Sequence, residues 1–203
     1  MQKIVCLDLE GVLVPEIWIN VAKKTGIEAL KRTTRDEPDY DVLMRGRLAI
    51  LEEHKLSLSD IQHVIATMEP FGGALEFLNS LKEQTQVIIL SDTFTQFAQP
   101  LMKKLLYPTL FCNTLVVDQN SMIIDYRLRQ DNGKYKAVKA LQSLGFSVFA
   151  AGDSYNDLTM IKAADGGALF KAPQQIIQDE PQLPSTQTYA ELSAIVQEFL
   201  FQR

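Results

Sequence analysis

The stretch Ile4-Val5-Cys6-Leu7-Asp8-Leu9-Glu10-Gly11-Val12-Leu13 decides how the rest of the chain is read. Its first four residues are apolar and partly β-branched, the texture of a strand buried on both faces of a parallel sheet. The run stops at Asp8, Glu10 follows one residue later, and Gly11 lets the chain turn. The same texture returns at Val87–Leu90, ending at Ser91, and at Val148–Ala151, ending at Gly152-Asp153. A weaker copy stands at Ala168–Phe170. Between these runs the periodicity predicts helices at roughly 71–84, 94–106, 134–144 and 155–164. Strands alternating with helices of this length mean βαβ units, and so an α/β class with a Rossmann-like parallel-sheet core. One piece breaks the alternation. Thr114–Val117 and Met122–Leu128 flank Asp118-Gln119-Asn120-Ser121, which reads as an antiparallel hairpin.

Residues 15–70 have another character. Pro15 suits a first helical turn, and Ile17, Trp18, Val21 and Ala22 share one helical face. Met44, Leu48 and Leu51 repeat the i, i+4, i+7 pattern on a second helix. No buried-strand run appears there, so the segment reads as a small α-helical cap inserted after the first strand. The core is then 1–14 and 71–203. Pro173, Pro181 and Pro184 precede a final helix near residues 189–201, expected as an ordinary covering element.

Composition excludes several classes. The 203 residues suffice for one domain with a modest insertion. Hydrophobic residues at 46% and charged ones at 22% lie near globular averages, which excludes disorder. A net charge of −5 and a pI near 5.1, with no basic cluster, argue against nucleic acid as a partner. Apolar runs of a few residues fall short of the roughly 18 needed to span a bilayer, so no membrane partner is expected. Asp8 and Glu10 interrupt the first run, so it is not expected to act as a signal peptide. Cys6 and Cys112 stand in neither a metal nor a redox spacing. The expectation is a soluble, cytoplasmic protein.

Polar residues recur where the runs end: Asp8 and Glu10, then Ser91 and Asp92, then Asp153, Asn156 and Asp157. In an open parallel sheet all strand carboxyl ends lie on one edge, and ligands bind there. Acids gathered on that edge repel one another unless a cation offsets them. A hard divalent ion with oxygen ligands, most simply Mg²⁺, resolves the conflict and leaves positions for phosphate oxygens. Lys134 supplies opposite charge and Ser91 a hydrogen bond, a set that suits phosphoryl transfer.

Asp8-Leu9-Glu10-Gly11-Val12, Leu90-Ser91-Asp92-Thr93, a downstream lysine and Gly152-Asp153-Ser154-Tyr155-Asn156-Asp157 resemble, in order, the four motifs of the haloacid dehalogenase superfamily of aspartyl-phosphate phosphatases. More closely, Val14-Pro15-Glu16-Ile17-Trp18 and the full-length pattern resemble its phosphoserine phosphatase branch, including members that also pass the phosphoryl group to homoserine. The resemblance implies a Mg²⁺-dependent phosphoserine phosphatase with phosphotransfer to homoserine. It also allows a homodimer. Two rival functions stand beside this one: hydrolysis of another small phosphomonoester, and a non-catalytic phospho-accepting receiver.

By the same resemblance Asp8 is the nucleophile and a metal ligand. Glu10 is the proton donor and acceptor, with its backbone carbonyl on the metal. The superfamily usually has Asp there, so the carboxylate must be placed differently. Asp153 ligates the metal; Asp157 is a ligand, an indirect partner, or a solvated acid in the first turn of a helix. Ser91 and Lys134 bind the substrate phosphate, Asn156 contacts substrate or phosphate, Asp92 is a further substrate-binding residue, and Glu16 and Arg47 take the substrate's amino and carboxylate groups. Local alternatives remain open: Ser91 as a cap of the next helix, Asn156 as a residue of a helix N-cap, Glu16 as a first-turn acid, and Arg47 bridged to Asp39 or Asp41. Lys134 and Lys136 both stand ahead of a helix at 137–144, and only one need reach the site. His54 and His63 fall outside every motif and are expected on the surface.

Overall fold

A computed structural model of the chain describes every residue except Met1, Arg35, Pro38 and Arg203. The strands are β1 (Gln2–Leu7), β2 (Gln86–Phe94), β3 (Thr109–Val117), β4 (Ile123–Arg127), β5 (Phe146–Gly152), β6 (Gly166–Phe170) and β7 (Ser185–Thr186). The helices are α1 (Ile17–Thr25), α2 (Tyr40–Glu53), α3 (Leu58–Ala66), α4 (Ala74–Lys82), α5 (Thr95–Lys104), α6 (Gly133–Ser143), α7 (Leu158–Ala163), α8 (Gln174–Asp179) and α9 (Tyr189–Phe201). Short 3₁₀ turns cover Glu28–Lys31 and Tyr155–Asp157. The strands form one sheet in the order β4-β3-β2-β1-β5-β6-β7, parallel except for the β3–β4 hairpin. This is the expected α/β, Rossmann-like architecture.

The apolar runs are continuous because both faces of the sheet are covered. On β1, Val5 and Leu7 pack into one core layer while Ile4 and Cys6 pack into the other. On β5, Phe149 and Ala151 divide from Val148 and Ala150 in the same way. Each fully buried Val, Leu or Phe contributes about 1.5–3 kcal/mol, so the alternation fixes which side each strand presents to which helices.

Between β1 and β2 the chain is helical. Ile17, Trp18, Val21 and Ala22 form the buried stripe of α1, and Met44, Leu48 and Leu51 lie on that of α2. Asp39 caps α2 by accepting from the N–H groups of Asp41 and Val42, and Ser57 and Asp60 form a reciprocal capping box on α3. Pro100 sits inside α5 and cannot donate to the Gln96 carbonyl. Gln62 of α3 supplies that donor instead, its amide 2.8 Å from the same oxygen. His54 and His63 are exposed. No helix among the described residues is long and apolar enough to cross a membrane.

Two features differ from expectation. The second strand runs on to Phe94, past Ser91 and Asp92, with a shift of register against β3 between Leu90 and Phe94. The tail adds β7 to the sheet edge, which no apolar run announces because only two residues pair. It also does more than cover: the Tyr189 hydroxyl donates to the Val12 carbonyl at 2.6 Å, tying α9 to the turn after β1.

Candidate active site

β1 lies between β2 and β5, so the first residues beyond it stand in the middle of the sheet's carboxyl edge. Asp8 is the first of them. Its N–H donates to the Ala151 carbonyl at 2.9 Å, which holds it level with the end of β5. Two glycines let the acids crowd in. Gly11 has φ +79°, and a β-carbon there would stand 2.2 Å from Asp153 Cγ; one on Gly152 would stand 2.3 Å from Asp157 Cγ. Carboxylate oxygens of Asp8, Asp153 and Asp157 thus lie within 4.8 Å of one another.

Lys134 answers them. Asn132 adopts a left-handed conformation and starts α6 at Gly133, so Lys134 falls in its first turn, directed at the sheet edge. Its Nζ is 2.7 Å from Asp157 Oδ1, 2.9 Å from Asp8 Oδ1 and 3.4 Å from Asp92 Oδ2. Lys134 and Asp8 are 5% and 4% exposed, and Asp157 is fully buried. Burial works against the Lys134 charge, yet Asp157, Asp8 and Asp92 together hold its pKa well above the ordinary lysine value. Burial first, then the charge on Asp157, push the Asp8 carboxyl well above the carboxylate range, against the pull of Lys134. The three acids carry more charge than one ammonium offsets, and their hard oxygen donors fit a divalent cation.

Asp157 spends its oxygens within the chain. Oδ2 accepts from the N–H groups of Asp153 and Ser154, both at 3.0 Å, and from the Ser154 hydroxyl, while Oδ1 accepts from Lys134. The solvated-acid reading is therefore wrong, because the loop after β5 folds over the carboxylate. Ser154 is the cap residue of this turn, not Asn156. Asn156 is exposed at the cleft and donates to Asp92 Oδ2 at 2.8 Å. Partial burial works to raise the Asp92 pKa, but Lys134 and Asn156 hold it below its usual value.

Ser91 is buried and accepts from the Thr93 N–H at 3.2 Å. It does not cap α5, because β2 continues to Phe94 and the helix starts four residues after Ser91. The expectation that both lysines precede their helix also fails: α6 begins at Gly133 and contains both. Lys134 lines the cleft and Lys136 does not.

At the other end stand Glu10, Glu16 and Arg47. Glu10 Oε2 accepts the Ile17 N–H at 2.8 Å, so Glu10, rather than Glu16, serves the start of α1. Glu16 holds the cap position without a side-chain cap bond. Burial first, and then Glu16 close by, push the Glu10 carboxyl up to about 8; the Ile17 N–H and Arg47 oppose them. Arg47 is 8% exposed, lies 4.6 Å over the Trp18 ring and donates to the Arg32 carbonyl at 2.7 Å. Burial lowers its pKa to about 10 despite Tyr40, Glu10 and Glu16. The alternative bridge to Asp39 or Asp41 is not made, since Asp39 caps α2 and Asp41 pairs with Arg45 at 3.4 Å. Among the described residues, no hydrogen-bond partner reaches the buried donor Arg47 Nε.

These groups line one cleft of about 300 Å³: Asp8, Glu10, Glu16, Arg47, Ser91, Asp92, Lys134, Asp153 and Asn156. A second cavity of about 470 Å³ adjoins it behind Tyr40, Asp92 and Asn156. The sequence reading missed Tyr40 and Asn113, which both donate to the Asp92 carbonyl, at 3.2 and 3.0 Å. It took Trp18 for core alone. No local pattern marks these roles, because each depends on a partner far along the chain.

The sequence model of the family described as haloacid dehalogenase-like hydrolase matches residues 2–165. Phosphoserine phosphatase ThrH of Pseudomonas aeruginosa is 57% identical over 191 residues, covering 94% of this chain and 93% of that protein. A phosphoserine phosphatase of Pseudomonas syringae pv. tomato is 56% identical over 190 residues, covering 94% and 80%. Among solved structures, phosphoserine phosphatase in its apo form matches with a TM-score of 0.77 at 22% identity, over 97% of this chain and 98% of that one. A phospho-aspartyl intermediate analogue of phosphoserine phosphatase matches at 0.78 and 22% with the same coverage. The structural likeness concerns the fold.

Proposed function

The chain belongs to the haloacid dehalogenase-like hydrolases, and on that premise we propose that it is a Mg²⁺-dependent phosphoserine phosphatase that also transfers the phosphoryl group to homoserine. One observation carries the reading: the cleft has a buried carboxylate–ammonium cluster at one end and an unpartnered arginine donor beside two glutamates at the other. The first end suits a phosphate, the second a zwitterionic amino acid. Relatives named phosphoserine phosphatase at 57% and 56% identity support the same substrate.

Asp8 attacks phosphorus and becomes an aspartyl phosphate while the serine oxygen leaves. Glu10 donates the proton that oxygen needs, then takes one from the incoming water or homoserine hydroxyl. A carboxyl raised to about 8 still holds its proton at neutral pH, which suits the first of these steps. Lys134 and Ser91 neutralise and orient the phosphoryl oxygens, with Asp92 and Asn156 beside them. Asp8 and Asp153 would hold the metal, whereas Asp157, its oxygens already engaged, would position Lys134 and the loop after β5. Mg²⁺, when bound, would add positive charge next to the phosphoryl group.

Arg47 would pair with the substrate carboxylate and Glu16 with its ammonium. Water and homoserine compete for one position opposite Asp8, so the same two groups would select donor and acceptor. Residues 15–70 act as a cap on a core of 1–14 and 71–203, excluding bulk water when closed. The free thiols of Cys6 and Cys112 suit the reducing cytoplasm.

The test is a phosphate assay on phosphoserine and a panel of phosphomonoesters with Mg²⁺, together with phosphohomoserine formation when homoserine is added. Asp8→Asn should abolish both products while leaving the fold intact. A panel that ranks phosphoserine low overturns the substrate, and full activity in the variant overturns the nucleophile.

A further inference from the structure

We propose that Asn113 is a positioning residue that sets the spacing between Ser91 and Lys134, the two groups that face the transferred phosphoryl oxygens; this rests on the phosphoryl-transfer reading above. Asn113 lies on β3, 6% exposed, outside the four motifs. The two ends of its amide reach two different segments. Nδ2 donates to the Asp92 carbonyl at 3.0 Å, and Oδ1 accepts from the Arg129 N–H at 3.0 Å.

The first segment is irregular. Leu90 pairs with Phe111 and Phe94 with Asn113, so four steps along β2 match two along β3. The extra chain holds Ser91, Asp92 and Thr93. A bulge of this kind re-aims side chains but leaves backbone groups without ladder partners. The Asp92 carbonyl is one such group, and Asn113 and Tyr40 supply its donors. The second segment leads into α6: Arg129 lies over the Phe111 ring at 5.1 Å and donates to the Gly133 carbonyl at 3.2 Å, one residue before Lys134. Asn113 is itself held, its own carbonyl accepting from the Thr95 hydroxyl at 3.1 Å. One amide therefore spans the bulge that carries Ser91 and the loop that delivers Lys134. Phosphoryl transfer depends mostly on positioning, and a shift of about 1 Å costs on the order of 10²-fold.

The test is a double-mutant cycle assayed on phosphoserine and p-nitrophenyl phosphate. Asn113→Asp keeps the acceptor for Arg129 but sets an oxygen against the Asp92 carbonyl. Tyr40→Phe removes the other donor. Each single variant leaves that carbonyl one of its two donors, and should lower kcat about tenfold on both esters. KM for phosphoserine should stay within about threefold in the Asn113 variant, since the amino-acid end of the cleft is untouched. Combined with Asn113→Ser, Tyr40→Phe should cost clearly more than the product of the single effects, because both act through one carbonyl. Inhibition by inorganic phosphate, held by the same Ser91 and Lys134, should weaken no more than KM does.

A merely structural role would lower the melting midpoint and the folded fraction while leaving kcat per folded molecule unchanged. That result overturns the proposal, as do strictly multiplicative effects or failure of both Asn113 variants to fold. A wild-type chain that turns over neither ester instead removes the phosphoryl-transfer reading, and this proposal with it.

Discussion

The Asp153 carboxylate occupies the space a side chain on Gly11 would need, its Cγ 2.2 Å from the ideal β-carbon position. Gly11 also holds φ +79°, so Gly11→Ala combines backbone strain with a clash against a fixed acid. Asp153 must move or the turn must. The variant should lose at least 10²-fold in kcat/KM, with a melting midpoint lower by several degrees, as about 1–3 kcal/mol of strain implies. Mg²⁺ affinity followed by calorimetry should weaken in parallel. Unchanged affinity would mean that Asp153 is no ligand.

Among the described residues, Lys134 is the one cation paired with the buried acids Asp8 and Asp157. Removing a single partner from such a cluster leaves uncompensated charge, at a cost of about 3–5 kcal/mol. Lys134→Met should show that loss in urea unfolding and no measurable turnover. Lys136→Met, outside the cleft, should change neither by more than about 0.5 kcal/mol or twofold.

Glu10 should leave its mark on the pH profile. Burial and Glu16 raise its carboxyl to about 8, so it is protonated in the folded enzyme at neutral pH and deprotonates above that value. As the proposed proton donor it would be active below about 8, and kcat/KM for phosphoserine should fall as pH rises through it. Stability follows the same sign. The folded state holds this proton more tightly than the unfolded one, so the contribution is full below the ordinary value of 4.5 and is lost as pH rises to about 8. In Glu10→Gln the limb should vanish along with most activity; a wild-type profile flat to pH 9.5 contradicts the assignment.

Arg47 has a buried Nε without a partner among the described residues and a guanidinium stacked on Trp18. A substrate carboxylate would satisfy that donor with a charge-assisted bond of about 1.5–3 kcal/mol. Arg47→Met should raise KM for phosphoserine roughly 10- to 100-fold. For an aryl phosphate, which has no carboxylate, KM should move by less than threefold. Equal losses on both esters would make Arg47 a structural residue.

Much of the fold could be read from local pattern. The buried strands announce themselves as apolar runs because a sheet covered on both faces needs every residue apolar, and Asp8, Asp92 and Asp153 stand out because polarity resumes where each run ends. Ser91 shows the limit. Its neighbours look like the start of a helix, yet pairing with β3 carries β2 on to Phe94. Asp157 likewise looks like a solvated first-turn acid until the loop after β5 closes over it.

The linear order of residues by itself determined the α/β class and which acids meet at the carboxyl edge, since side-chain alternation is a local property and the carboxyl ends of all strands in a parallel sheet share one edge. Only the tertiary structure decided that Lys134 rather than Lys136 enters the cluster, that Asp157 is spent on backbone donors, that Arg47 keeps a free Nε, and that Tyr40 and Asn113 both hold the Asp92 carbonyl. Those outcomes depend on where a loop or helix comes to rest, against residues tens of positions away for Lys134 and the Asp92 carbonyl and by the fold-back of a single loop for Asp157. Periodicity carries no record of that distance; packing does.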